Sequence, residues 1–201
     1  NKTANVYTIS LSNSNATTGP SPATVYEKYS TGLYSNSACS TAISSITVPT
    51  RTGYTFGGYY TGANGSGKQM IAADGKFTSN FTNTAFTANT TLQPKWTANS
   101  VSYKVEHYLM GTNGSYPTSA TNVQTLSATA DSTVTLANLA YTTSAYKVTN
   151  GIAYSYGQVG GTTVTTTTIA ANGSTVIKLY YERYYGTLTT KAGTNVSSVT
   201  T

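Results

Sequence analysis

Charge is what this sequence has least of. Only 8% of its 201 residues are Asp, Glu, Lys or Arg, against about 25% in an ordinary soluble domain. A single cysteine, Cys39, rules out an intramolecular disulfide. One histidine, His107, and five acids, Glu27, Asp74, Glu106, Asp131 and Glu182, are the whole stock of ordinary acid–base groups. Zinc sites draw on several Cys or His ligands and calcium sites on clustered carboxylates. Neither set is present, so no metal and no cofactor is expected. No apolar stretch approaches the ~20 residues that span a bilayer, so membrane insertion is not expected. The start, NKTANVYTIS, lacks a basic-then-apolar leader. An exported protein with this beginning is expected to be a processed chain or a piece of a longer one.

What fills the space is Thr, Ser, Asn, Gly and 18 Tyr. Low charge can signal disorder, but disordered chains are poor in aromatic and β-branched residues. These are the residues that suit a pleated, half-buried surface. The net charge of +6 comes from eleven bases scattered singly along the chain. No stripe of them exists to track phosphates, so nucleic acid is not an expected partner.

Helical periodicity is nearly absent. The one candidate is residues 36–46 (NSACSTAISSI), where Ala38, Ala42, Ile43 and Ile46 share a face and Asn36 or Ser37 can cap, with Pro49 ending any continuation. Elsewhere the signals are alternation and turns. Strands are expected at 6–11, 24–29 and 53–60, with a bulge at Gly57-Gly58. Asp74-Gly75 marks a hairpin turn between apolar flanks. A strand at 91–97 contains Pro94, which calls for an edge or a bulge there. After a boundary near Ala98-Asn99-Ser100, strands are expected at 101–109, 123–130, 132–139, 151–156, 162–169 and 176–181. Asn172-Gly173 between the last two reads as a hairpin. Residues 184–201 are too few to fold alone and look like a strand segment without a partner.

Residues 45–60 (SITVPTRTGYTFGGYY) carry Pro49, Thr50, Gly53, Tyr54, Phe56, Gly58 and Tyr59, with Leu92 and Trp96 in the strand that closes the half. Together with residues 33–43 (LYSNSACSTAI), they resemble the internalin B-type repeat of bacterial surface proteins. That resemblance implies a β-grasp fold with one short helix. The second half, through Tyr103-Lys104-Val105-Glu106-His107-Tyr108 and Lys178-Leu179-Tyr180-Tyr181, is similar to MucBP (mucin-binding-protein-like) repeats. Residues 188–199 resemble the opening of a further repeat. The expectation is a mainly β chain of two tandem, small β-grasp-like domains, at 1–98 and 99–183, followed by the segment 184–201. Repeats of these kinds occur in tandem as stalks and adhesive surfaces of cell-wall-anchored or secreted bacterial proteins.

The chain is read as a non-enzymatic extracellular module, a stalk or spacer with adhesive surface. Its expected partners are neighbouring repeats or identical subunits, and host glycan or protein. A Cys39–His107 nucleophile pair would need residues of different modules to meet, so Cys39 is expected under its helix and His107 on a strand face. An amide crosslink from Lys104 or Lys178 to Asn138 or Asn172, with Glu106 or Glu182 as the acid, stands against an ordinary cross-strand surface pair, which is favoured. Tyr59, Tyr60 and Lys68 are the candidate contact for glycan or protein. Leu188, Val196 and Val199 are the candidate strand-addition residues, through which the segment 184–201 would join copies into a filament.

Overall fold

The computed structural model describes residues 4–141 and 151–184. The chain is mainly β and divides into two compact units. The first comprises residues up to 102 with two returning segments, 127–132 and 169–174, and the second holds the rest.

In the first half, β1 (Val6–Leu11) lies beside antiparallel β2 (Thr24–Lys28), which carries the short edge strand β3 (Gly32–Tyr34). Next come β4 (Tyr54–Tyr60), β5 (Gln69–Ile71), the one-turn helix α1 (Ser79–Thr82) and β6 (Thr90–Ala98). The sheet order is β3-β2-β1-β6-β4-β5, with β6 parallel to β1 and antiparallel to β4. Ile9, Leu11, Val25, Phe56, Tyr59, Ile71, Phe81 and Leu92 form the buried centre. Phe81 on α1 packs 4.7 Å from Phe77 and edge-on to Phe86 at 5.9 Å, so the single helical turn plugs an aromatic side chain into the core.

The expected bulge and the awkward proline explain each other. The β4–β6 register slips between Phe56 and Tyr59, across Gly57-Gly58, and Tyr59 then faces Pro94. On its other side β6 pairs with β1 only as far as Leu92. Pro94 therefore sits where one neighbour has ended and the other is bulged, and its missing N–H leaves no gap in the ladder. Gly58 stands at φ +110, and a Cβ there would run into the Ile71 carbonyl oxygen.

The helix expected over residues 36–46 does not form. Asn36 closes a loop instead. Its Oδ1 accepts the Ser40 N–H at 3.0 Å, and its Nδ2 donates to the Ser40 and Thr41 hydroxyls at 3.0 and 3.1 Å. A residue suited to capping a helix satisfies the backbone locally and so competes with the helix. The remainder is drawn out by isolated bridges, Tyr34 with Ala42, Ser45 with Lys76 and Ser21 with Thr47. Cys39 takes a left-handed turn position, φ +51, and is only half-buried, with no helix above it.

In the second half, β7 (Ser100–Leu109) starts one residue after β6 ends and is followed by β8 (Asn122–Thr129). Thr121 donates to His107 and Ala130 to Asn99, which sets β7 and β8 antiparallel. Then come β9 (Thr133–Thr135), β10 (Ile152–Val159), β11 (Thr162–Thr163), β12 (Thr166–Thr168) and β13 (Val176–Arg183). The main sheet runs β11-β10-β13-β7-β8, with β13 parallel to β7, while β9 and β12 form a separate ribbon. The strand expected across 132–139 stops at Thr135 and turns into a 3-10 segment, Leu136–Leu139, that buries Leu136. Gly157 makes room for it, since a Cβ there would strike the Leu136 side chain.

The Asn172-Gly173 turn is present, with Gly173 at φ +73, but it joins no hairpin. Strand β12 before it pairs with β9, and β13 after it pairs with β7 and β10. A turn signal sets where the chain bends; partner choice went to the long parallel ladder beside β7.

Both main sheets follow one connection rule. The first strand sits between the second and the last, the last runs parallel to the first, and beyond it lie two further antiparallel strands.

Candidate functional site

Parity along β7 and β13 separates two faces of the second sheet. Tyr103, Val105 and His107, with Ile177, Leu179 and Tyr181, point inward and are buried. Lys104, Glu106 and Tyr108, with Lys178, Tyr180 and Glu182, alternate with them on the opposite face.

His107 is wholly buried. The Tyr181 hydroxyl accepts the Tyr141 N–H at 3.0 Å and lies 2.7 Å from His107 Nδ1. Gln124 Oε1 can only accept, so His107 Nε2 carries the ring proton and donates to it at 3.0 Å, which leaves Nδ1 to accept the Tyr181 O–H. The imidazole stacks 3.8 Å from the Tyr141 ring. Burial holds its pKa below the usual histidine value. Both nitrogens are committed, so the ring serves as a neutral structural element.

On the other face Tyr108, Tyr180 and Tyr156 are in register on three adjacent strands. Their centroids are 5.0 and 4.8 Å apart with planes within 17° and 14°, close to the spacing between strands. The rings stand like books on a shelf, and Tyr116 meets Tyr180 edge-on at 5.0 Å. Tyr108 in this row is buried, and Tyr180 and Tyr156 are half-buried. Tyr108 donates to Glu106 Oε2 at 2.8 Å, and burial followed by that carboxylate pushes its pKa up to about 12.

Lys178 faces Glu106 across the parallel ladder, 3.9 Å between charged atoms, and lies over the Tyr108 ring at 5.6 Å. Lys104, Asn138 and Asn172 are exposed. This is the geometry of a cross-strand surface pair, without the buried Lys–Asn approach that an amide crosslink uses.

Of the three expected contact residues, Tyr59 lies in the core. It is 0% exposed, and its hydroxyl donates to the Ser12 carbonyl at 2.9 Å while burial pushes its pKa up. Tyr60 is half-buried, with Lys95 6.0 Å from its ring centroid. Lys68 is exposed on the loop leading into β5, next to Gln69, which pairs with Tyr60. Leu188, Val196 and Val199 lie outside the described residues.

A recess that the sequence did not announce lies in the first unit. The turn at residues 12–15 has two of its carbonyls held by aromatic donors, Ser12 by Tyr59 and Ser14 by the Trp96 indole N–H at 3.1 Å. Beside it a cleft of about 170 Å³ is lined by Ser14, Asn15, Arg51, Asn64, Gln93 and Trp96, with Ala63 and Pro94. Arg51 lies 3.5 Å over the Tyr54 ring, and its Nη2 is 3.6 Å from Asp131, which also accepts the Tyr54 hydroxyl at 2.6 Å. The sequence places Trp96 in a closing strand, and nothing in it brings Asn15, Asn64 and Gln93 beside that residue.

A second cleft of about 160 Å³ has the buried Glu27 in its wall, one carboxylate oxygen accepting the Phe86 N–H at 2.8 Å. Among the described residues no three His, Cys, Asp or Glu side chains gather in a metal-holding group. No helix among them is long and apolar enough to cross a membrane. No family model, curated protein or solved structure matches this chain.

Proposed function

We propose that this chain is a non-enzymatic extracellular module of a bacterial surface protein, a stalk or spacer built from two β-grasp-like repeats with adhesive surface. The observation that carries the reading is the shared connection rule of the two sheets, each with first and last strands parallel and adjacent. Repetition of one small unit is how stalks gain length, and parallel terminal strands joined side by side must shear rather than unzip under load. The internalin B-type and MucBP-like signatures point the same way. The chemistry agrees: the one histidine has both ring nitrogens engaged in the core, and a general base needs a nitrogen within reach of substrate.

Single-molecule pulling on the full chain tests this. Two successive unfolding steps are expected, each releasing about 30 nm for 85–100 residues at ~3.3–3.6 Å per residue. One step spanning both halves, or extension without resistance, would rule the spacer reading out.

A filament subunit is the second reading. It is favoured by β8, among the described residues a terminal strand of its sheet, with eight residues (NVQTLSAT) and neither charge nor proline. Such an edge is a template for strand addition. Deleting the residues after Arg183 should abolish polymers and leave both units folded; polymers that persist would refute it.

A further inference from the structure

We infer that the Trp96 cleft of the first unit is a saccharide-binding site for a single terminal sugar ring. This deepens the adhesive part of the reading above; the spacer role stands or falls by the pulling experiment alone.

The lining chemistry is selective. A sugar ring offers an apolar C–H face and a rim of hydroxyls that donate and accept together. The cleft offers one large aromatic ring, Trp96, with Pro94 and Ala63 as apolar neighbours, and a rim of amides and a hydroxyl from Asn15, Asn64, Gln93 and Ser14. No carboxylate lines it, which disfavours cations, and the one charge is the Arg51 guanidinium. Among the described residues, the side-chain amides of Asn15, Asn64 and Gln93 make no hydrogen bond within the protein. Each amide both donates and accepts, which matches hydroxyls better than phosphate or ammonium.

The rim is also held in place. Asn15 and Asn64 sit at φ +61 and +56, left-handed backbone positions that set where each Cα–Cβ bond points. The Asn15 turn is pinned through Ser12 and Ser14 to Tyr59 and Trp96. Asn64 belongs to a 3-10 turn closed by Ser66 donating to Ala63. A backbone arranged before the ligand arrives leaves only the side-chain torsions to be ordered on binding. The volume, below the ~300 Å³ at which ordinary ligand pockets begin, suits one ring and not a chain.

Trp96 is the only tryptophan in the sequence, so its fluorescence reports on this cleft alone. The full chain is titrated with glucose, galactose, mannose, N-acetylglucosamine, N-acetylgalactosamine and glucuronic acid up to about 100 mM. At least one sugar should shift Trp96 emission saturably, with a dissociation constant of about 1 mM, as expected for a ligand of about a dozen heavy atoms. Asn15→Gly and Asn64→Gly delete the amides and keep left-handed backbones that glycine adopts freely. Each variant should weaken that binding by about tenfold while melting at the unaltered temperature. Absence of a saturable shift with all six sugars would overturn the inference. So would affinity that survives in both folded glycine variants.

Discussion

The Tyr181 hydroxyl lies 2.7 Å from His107 Nδ1 and is the link between that ring and the Tyr141 backbone N–H. One phenol on β13 thereby links two groups distant in sequence. Tyr181→Phe removes only that oxygen. It takes away the acceptor for one half-buried N–H and the donor for one buried ring nitrogen. The expected cost is about 1–3 kcal/mol for stranding buried polar groups, read as a lowered urea midpoint with an unchanged slope.

The same ring makes the second unit sensitive to acid. Burial depresses the His107 pKa, so between the folded value and the unfolded value of about 6.5 the unfolded chain binds the extra proton. Stability contributed by neutral His107 is complete above pH 6.5. It declines as pH falls, by up to about 1.4 kcal/mol per unit, until the folded pKa is passed. Denaturation midpoints measured between pH 8 and 5 should show this fall in the unaltered protein and a flatter profile in His107→Gln. Equal profiles would mean that His107 does not titrate differently on unfolding.

Tyr180 is the middle ring of the upright stack, touching Tyr108, Tyr156 and Tyr116. Aromatic pairs add about 0.5–1.5 kcal/mol each beyond buried area. Tyr180→Leu keeps an apolar strand residue and loses three such pairs, so a cost of about 2 kcal/mol is expected. A double-mutant cycle with Tyr156→Leu should reveal positive coupling, because the two rings stabilise each other directly.

Gly58 is expected to be irreplaceable in the first unit. Alanine there would hold φ near +110 and meet the Ile71 carbonyl oxygen. Strain of this kind costs about 1–3 kcal/mol, so Gly58→Ala should lower the melting temperature clearly. Gly160→Ala serves as the comparison: it shares a positive φ, but its added Cβ meets nothing within 4 Å.

A fifth expectation concerns Lys178 and Glu106, 3.9 Å apart and partly exposed. Exposed pairs contribute about 0–1 kcal/mol. Lys178→Gln should therefore change stability little, and the intact mass of the unaltered chain should equal its sequence mass, with no loss of ammonia or water.

The sequence by itself determined the class of structure and most strand positions. Alternation at β1, β7 and β13 survives any partner, because period-two patterning sorts side chains to two faces before neighbours are chosen. The Gly57-Gly58 bulge was legible for a similar reason, since glycine and proline constrain the backbone locally. What only the tertiary structure decided were matters of competition and assembly. Asn36 looked like a helix cap and became a loop clasp, because nearby extended segments offered bridges that a short helix could not match. Asn172-Gly173 looked like a hairpin and became a plain turn, because β13 had a longer ladder beside β7. Tyr59 and Tyr60 are neighbours in sequence, yet one fills the core and the other lines the surface, and the Trp96 cleft gathers residues from positions 14 to 96. Contacts between residues so far apart leave no periodic trace in the chain, so they become visible only once the sheets have closed.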